Sequence, residues 1–336
     1  MNRELSCVWE RLRRAGGGWP LAGLMVLGLG ACGPSAPPPG QDVEIRFDAR
    51  FGAVAVACGQ AQTGVGTGGL PIEIGDARFF ISNLRLIDAQ GVEVPIELKQ
   101  DSPWQHGNVV LLDFEDATGA CSEIGTAETN RSAWGTVPAG EYRGLAFTMG
   151  VPFELNHLDN TTAPAPLNVN AMYWSWSSGF VFSRVDYLVA GGDEADAGEG
   201  ASEPASMAGA GGDAASALEP RPNIAYFAHV GSTGCHSPAL TVPPAEPCAR
   251  PNQVHVRFDA FDPSHDLVVV DLAGMVAGID VGVSVPRPPG CMSGANDPDC
   301  GALFANLGLD IATGDCVDGC REQKLFRVMP QAATTP

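Results

Sequence analysis

The sequence predicts an all-β fold, a single β-sandwich or β-barrel-like domain with long loops and disulfides. Three observations carry this. Forty-two glycines and 27 prolines in 336 residues punctuate the chain with turns. Short runs alternate apolar and polar residues with a period of two. No long stretch repeats apolar residues at helical spacing.

The elements follow in order. Residues 1–31 read as an export signal, with Arg11, Arg13 and Arg14 ahead of a short apolar run. That run is too short to span a bilayer. It ends in Leu29-Gly30-Ala31-Cys32, which resembles a bacterial lipobox with Cys32 as the lipidated residue. Residues 32–41, rich in proline, form a flexible tether. The β body is expected over residues 42–328, with 329–336 as a tail.

Residues 43–51 alternate strictly, as a strand with one wet face does. Residues 79–88 and 92–98 read as a hairpin, with Pro95 placing the second arm at an edge. Residues 109–114 form a short buried strand. Residues 118–135 read as a loop holding Cys121, and 142–149 as the next strand. After a polar loop comes Met172-Tyr173-Trp174-Ser175-Trp176, with two of the six tryptophans one residue apart. In an extended chain both indoles would lie on one face. Residues 179–189 form a long strand and 223–230 its return. Between them, residues 191–222 carry acidic and small residues and almost no large apolar ones. Such a stretch buries too little area to offset its ordering entropy, so it reads as a disordered insertion in a hairpin. Strands follow at 254–260 and 267–272, then a short helix over 272–279. The remainder is loop-rich and cysteine-stapled, with a brief apolar run at 303–309.

The formal charge of −20 excludes nucleic-acid binding, which needs basic patches. Removing residues 1–31 takes away four arginines and two glutamates and leaves the body more acidic still. Eight cysteines then remain beside Cys32: Cys58, Cys121, Cys235, Cys248, Cys291, Cys300, Cys316 and Cys320. An even count in an exported chain points to disulfides. About 105 connectivities are open to eight cysteines. Short loops favour Cys235–Cys248, Cys291–Cys300 and Cys316–Cys320, which leaves Cys58–Cys121 as the long-range bridge. The spacing Cys316-x3-Cys320 is also compatible with a metal site.

His106, His157 and His229 each stand at the end of a strand-like run, where loops of a β fold gather into sites. Imidazole suits copper, zinc or iron, and an exported compartment favours copper. His236 adjoins a disulfide, and His255 and His265 read as solvated. There is no Gly-x-Ser-x-Gly elbow, no His-Glu-x-x-His and no Cys-x-x-Cys-His, so hydrolase, zincin and c-haem chemistry find no support.

Seven blocks occur in order: Ile81-Ser-Asn-Leu-Arg-Leu, Trp104-Gln-His106, Leu111-Leu-Asp-Phe-Glu115, Gly150-Val-Pro-Phe-Glu-Leu-Asn-His157, Met172-Tyr-Trp-Ser-Trp176, His229-Val-Gly-Ser-Thr-Gly-Cys235 and Phe304-Ala-Asn-Leu-Gly308. Together they resemble the methanobactin-associated copper-binding partner proteins, also known as metallo-mystery pair four-Cys motif proteins. The resemblance implies a non-enzymatic copper protein, periplasmic or held at the cell surface by a lipid anchor. It implies a partner, a di-haem cytochrome related to the tryptophan-modifying peroxidase-like enzymes. That partner would oxidise Trp176, the preferred residue, or Trp174 to kynurenine beside a copper site. His106, His157 and His229 fall within matched blocks as ligands. A metal-free structural or adhesive domain and a copper oxidoreductase remain as the other readings.

Overall fold

The computed structural model describes residues 40–175, 177–190, 221–222, 225–284 and 288–331. The signal segment, Cys32, residues 191–220 of the insertion, Trp176 and the last five residues lie outside these.

β1 (Gly40–Phe51) buries every second side chain from Val43 to Phe51, as its alternation predicts. Its first residue pairs with Pro138, so the strand begins two residues inside the expected tether. β2 (Val54–Ala55) turns back on its end. β3 (Ile72–Asp88) follows. Next come β4 (Glu93–Pro95), β5 (Glu97–Leu98), β6 (Gln105–His106), β7 (Val109–Asp113), β8 (Ser132–Pro138) and β9 (Tyr142–Met149). β10 (Tyr173–Ser175), β11 (Gly179–Val189), β12 (Arg221–Pro222) and β13 (Ala225–Gly231) form the middle of the chain. The last strands are β14 (Val254–Phe258), β15 (Asp266–Asp271), β16 (Val283–Ser284), β17 (Gly290–Cys291) and β18 (Phe326–Pro330).

One sheet runs β18-β15-β1-β8-β5, with β2 on β1. The larger sheet runs β14-β9-β3-β11-β13-β17, with β4 and β7 also on β3, β6 on β7 and β10 on β11. β12 and β16 form a separate ribbon. The two large sheets make an open sandwich without barrel closure. Its core joins Ile45, Phe47 and Val268 of the first sheet to Phe79, Phe147, Val185 and Ala228 of the second. Phe147 packs edge-on against Phe47 and Phe326, with ring centroids at 5.8 and 5.1 Å. Residues 38–336 group as one unit.

The larger sheet carries a second apolar cluster. Phe80, Val109, Leu111, Phe180 and Phe182 pack with Val151, Leu167 and Met172. The segment 151–174 is thereby fastened over the sheet by its own apolar side chains, and Trp104, Tyr173 and Trp174 pack at this cluster.

Several expectations need correction. The hairpin at 79–98 is a 17-residue strand whose second arm divides between the two sheets. Pro95 ends β4, and the buried Ile96 and Leu98 draw the chain toward the main core. The loop expected to reach residue 135 stops earlier, since β8 begins at Ser132. The apolar run at 303–309 lies mostly in a helix, Cys300–Asn306. β18, paired antiparallel with β15, runs to Pro330, so the body extends two residues into the expected tail. The insertion does lie between antiparallel neighbours, β11 and β13, and its last two residues pair with β16.

All four disulfides join the cysteines that the short-loop reading favours: Cys58–Cys121, Cys235–Cys248, Cys291–Cys300 and Cys316–Cys320. Among the described residues, no helix is long and apolar enough to cross a membrane.

Candidate metal centre

β13 alternates between two environments. Tyr226, Ala228 and Val230 face the main core, while His229 and Gly231 face the other side of the sheet. His229 is therefore inside the strand rather than at its end. Its register partner on β11 is Arg184, which in turn pairs with Arg78 of β3.

This register builds a buried ionic strip across three strands. His229 Nε2 lies 2.6 Å from Asp186 Oδ1. Arg184 lies 3.2 Å from Asp186 and 3.0 Å from Asp76. Arg78 grips Asp76 through two nitrogens and lies 3.9 Å from Glu115. Arg184 Nη1 also donates to the Ala171 carbonyl at 2.9 Å, which ties the strip to the tryptophan-bearing segment.

Burial and charge divide the carboxylates. Burial works against the charge of Asp186, but His229 and Arg184 outweigh it and hold the carboxyl below its ordinary value. An ionised Asp186 accepts from His229, so Nε2 carries a proton and Nδ1 is the ring atom left to bind a metal. At the far end the balance reverses. Burial, only partly offset by Arg78, raises Asp76 to about 6. Burial and then the Glu115 charge raise Asp113 to about 7.

These values fix a pH dependence. Between the ordinary carboxylate value of 3.8 and about 7, the folded chain holds protons on Asp76 and Asp113 that the unfolded chain has released. Their contribution to stability is complete at the acid end of that window and is lost as pH rises through it. Asp186, shifted downward, acts only below the window. The urea midpoint is expected to fall from pH 5 to pH 8. Asp113→Asn should flatten the upper half of that fall. An unchanged slope in the variant would remove Asp113 as its source.

Trp174 lies directly on the end of β13. A Cβ at Gly231 would come within 2.8 Å of Trp174 Cζ3, so only glycine leaves room for the indole. Gly231 is two residues from His229 on the same face, about 7 Å along the strand. Ser293 fixes this stretch, accepting from Gly231 N at 3.0 Å and donating to the His229 carbonyl at 2.9 Å.

His157 follows the short helix Phe153–Asn156 and is buried. Its Nε2 lies 3.6 Å from Cys248 Sγ. Asn156 joins its helix to the end of β13 by donating to Ser232 Oγ at 2.9 Å. His106 is half-buried and stands opposite Val109, on the same face as His229. Four strand steps, β6-β7-β3-β11-β13, separate it from His229. At about 4.8 Å each, they put the two backbone positions roughly 19 Å apart across the sheet, wider than the span of one metal's ligands. The structure thus places Trp174 against Gly231, two residues from His229 on β13, sets His157 beside a disulfide, and leaves His106 at the other side of the sheet. His255 and His265 are exposed, as expected.

The model of the MbnP family matches residues 40–293, most of the described body. The chain belongs to the MbnP family. Its fold is similar to the structure of MbnP from Methylosinus trichosporium, with a TM-score of 0.69 and 31% identity. That match covers 88% of this chain and 100% of the other. No match is found among curated protein sequences. Membership of the MbnP family associates the chain with methanobactin and gives it a copper-related role. The family span contains His106, His157, His229 and Trp174, and it ends before Cys300, Cys316 and Cys320.

Sequence reasoning missed Asp186, Arg184, Asp76 and Arg78. A signal existed, since each pair sets opposite charges two residues apart, on one face of a strand-like run.

Proposed function

We propose that this chain is an exported copper-binding lipoprotein without catalytic activity of its own, in which a tryptophan beside the copper ligand is oxidised to kynurenine. The observation that supports the reading is the placement of His229, oriented by Asp186, two residues along β13 from Gly231, on which Trp174 packs. The donor chemistry fits copper. An imidazole whose other nitrogen bonds a carboxylate is held in one tautomer and one orientation, as metal-ligating histidines are. Kynurenine beside it would add a carbonyl and an amine. A di-haem cytochrome of the tryptophan-modifying, peroxidase-like class would supply the oxidising equivalents. Four disulfides suit the periplasm or cell surface. Cys32 would carry the lipid that holds the domain at a bacterial membrane.

Co-expression with such a cytochrome tests this. Conversion exchanges one carbon for one oxygen, so peptide mass mapping distinguishes Trp174 from Trp176. His229→Ala is expected to abolish copper binding by the modified protein, and His106→Ala to retain it. Unmodified tryptophans, or equal copper content in both variants, would refute the reading.

A further inference from the structure

We propose a second metal site, separate from the first and gated by reduction: the Cys235–Cys248 bridge and His157, taking a soft monovalent ion, Cu(I). One nitrogen of His157 and the sulfurs of both cysteines lie within 4.8 Å of one another. It is the one such histidine–cysteine cluster among the described residues. A metal about 2.0–2.3 Å from each nitrogen and sulfur needs donors spaced on this scale.

The neighbours of His157 place an unprotonated ring nitrogen beside the bridge. Phe180 N donates to Asn156 Oδ1 at 2.9 Å, which fixes the amide orientation. Asn156 Nδ2 then has two protons to give. One goes to Ser232 Oγ at 2.9 Å, and the other faces His157 Nε2 at 3.3 Å. An amide nitrogen cannot accept, so Nε2 is the acceptor and carries no proton. That same atom lies 3.6 Å from Cys248 Sγ. Gly179, with φ +82°, gives Asn156 its place, since a Cβ there would come within 2.4 Å of Nδ2. The arrangement is an imidazole whose unprotonated Nε2 lies beside a disulfide sulfur and would exchange the Asn156 N–H for the metal when copper binds.

A closed disulfide is a poor ligand, and two thiolates with an imidazole are good ligands for Cu(I). The step requires a dithiol reductant. It gives two electrons and two protons, the Sγ–Sγ bond breaks, both sulfurs become thiols, and the dithiol closes to its own disulfide. Cu(I) then displaces the two thiol protons. The bridge is reachable from solvent. Cys235 is half-buried, and nearly all of residues 236–247 are exposed. Ser232, which holds Asn156, is three residues beyond His229, about 10 Å of extended chain, and Cys235 lies three residues further on.

The test uses the full chain, without cytochrome co-expression and under anaerobic conditions. Cu(I) is titrated against bathocuproine disulfonate before and after dithiothreitol, with alkylation mapping the freed thiols. Reduction is expected to add one tightly held Cu(I) per chain, with sulfur and nitrogen neighbours in its X-ray absorption. The double variant Cys235→Ser/Cys248→Ser should lose the added ion, and Cys316→Ser/Cys320→Ser should keep it. His157→Gln should weaken it by about tenfold or more at an unchanged thiol count. The proposal is overturned by a bridge that stays closed under excess dithiol, or by freed Cys235 and Cys248 that add no copper. Added copper that survives in the double variant, or that is indifferent to His157→Gln, overturns it as well. Loss of the site at His229 would leave this result untouched, so the two readings fail separately.

Discussion

Replacing Arg78 with methionine is expected to destabilise the domain by about 3–5 kcal/mol, the cost of stranding buried charge. Arg78 is 1% exposed and is among the largest fully buried side chains of the described residues. It contacts Asp76 and Glu115, and its charge also stabilises the Asp113 carboxylate. Methionine fills much of the volume, so the loss is electrostatic rather than a cavity. Arg184 continues to pair with Asp76, but Asp113 and Glu115 are left with backbone partners and a threonine hydroxyl. Natural domains hold only about 5–15 kcal/mol in total, so the variant should be marginal at neutral pH. It should recover part of its stability near pH 5, where the stranded carboxylates take up protons. Urea denaturation at both pH values checks this. A midpoint equal to that of the unaltered chain at pH 7.5 would show that the strip contributes nothing to folding.

The sandwich was legible because strand faces repeat every two residues, and residues 43–51 and 179–189 are read directly from their alternation and turn flanks. The disulfides were legible because three short loops leave one long pair. The partition of 92–98 between two sheets was hidden, since nothing in Val94-Pro95-Ile96 tells which core Ile96 enters. β18 was hidden at the end of a cysteine-stapled stretch whose composition reads as loop. The ionic strip was hidden for a different reason. Arg78 and Arg184 are 106 residues apart in sequence and become neighbours only through the β3–β11 register. The three histidines looked equivalent in sequence because each ends an apolar run. Sheet order separates them, and no local pattern encodes sheet order.

Replacing Asp186 with asparagine is expected to leave the fold nearly intact and to weaken copper binding by about 10–100-fold, the usual effect of losing a carboxylate behind a ligating histidine. In the present chain Asp186 accepts from His229 Nε2 and so keeps the proton off Nδ1. Asparagine is isosteric but can turn either its oxygen or its amide toward the ring. The amide would require Nε2 to accept and would move the proton to Nδ1, which closes the proposed donor atom. Arg184 would lose one carboxylate but retain Asp76 and the Ala171 carbonyl. The tryptophan segment should therefore stay seated over Gly231. Copper competition titration measures the affinity, and the paramagnetic resonance of the Cu(II) form reports whether the imidazole has changed its bond to the metal. A folded variant with unchanged affinity and spectrum would remove the His229–Asp186 pair from the copper centre. Lost affinity together with an unchanged denaturation midpoint cannot come from general unfolding and would assign Asp186 as the residue that positions the ligand.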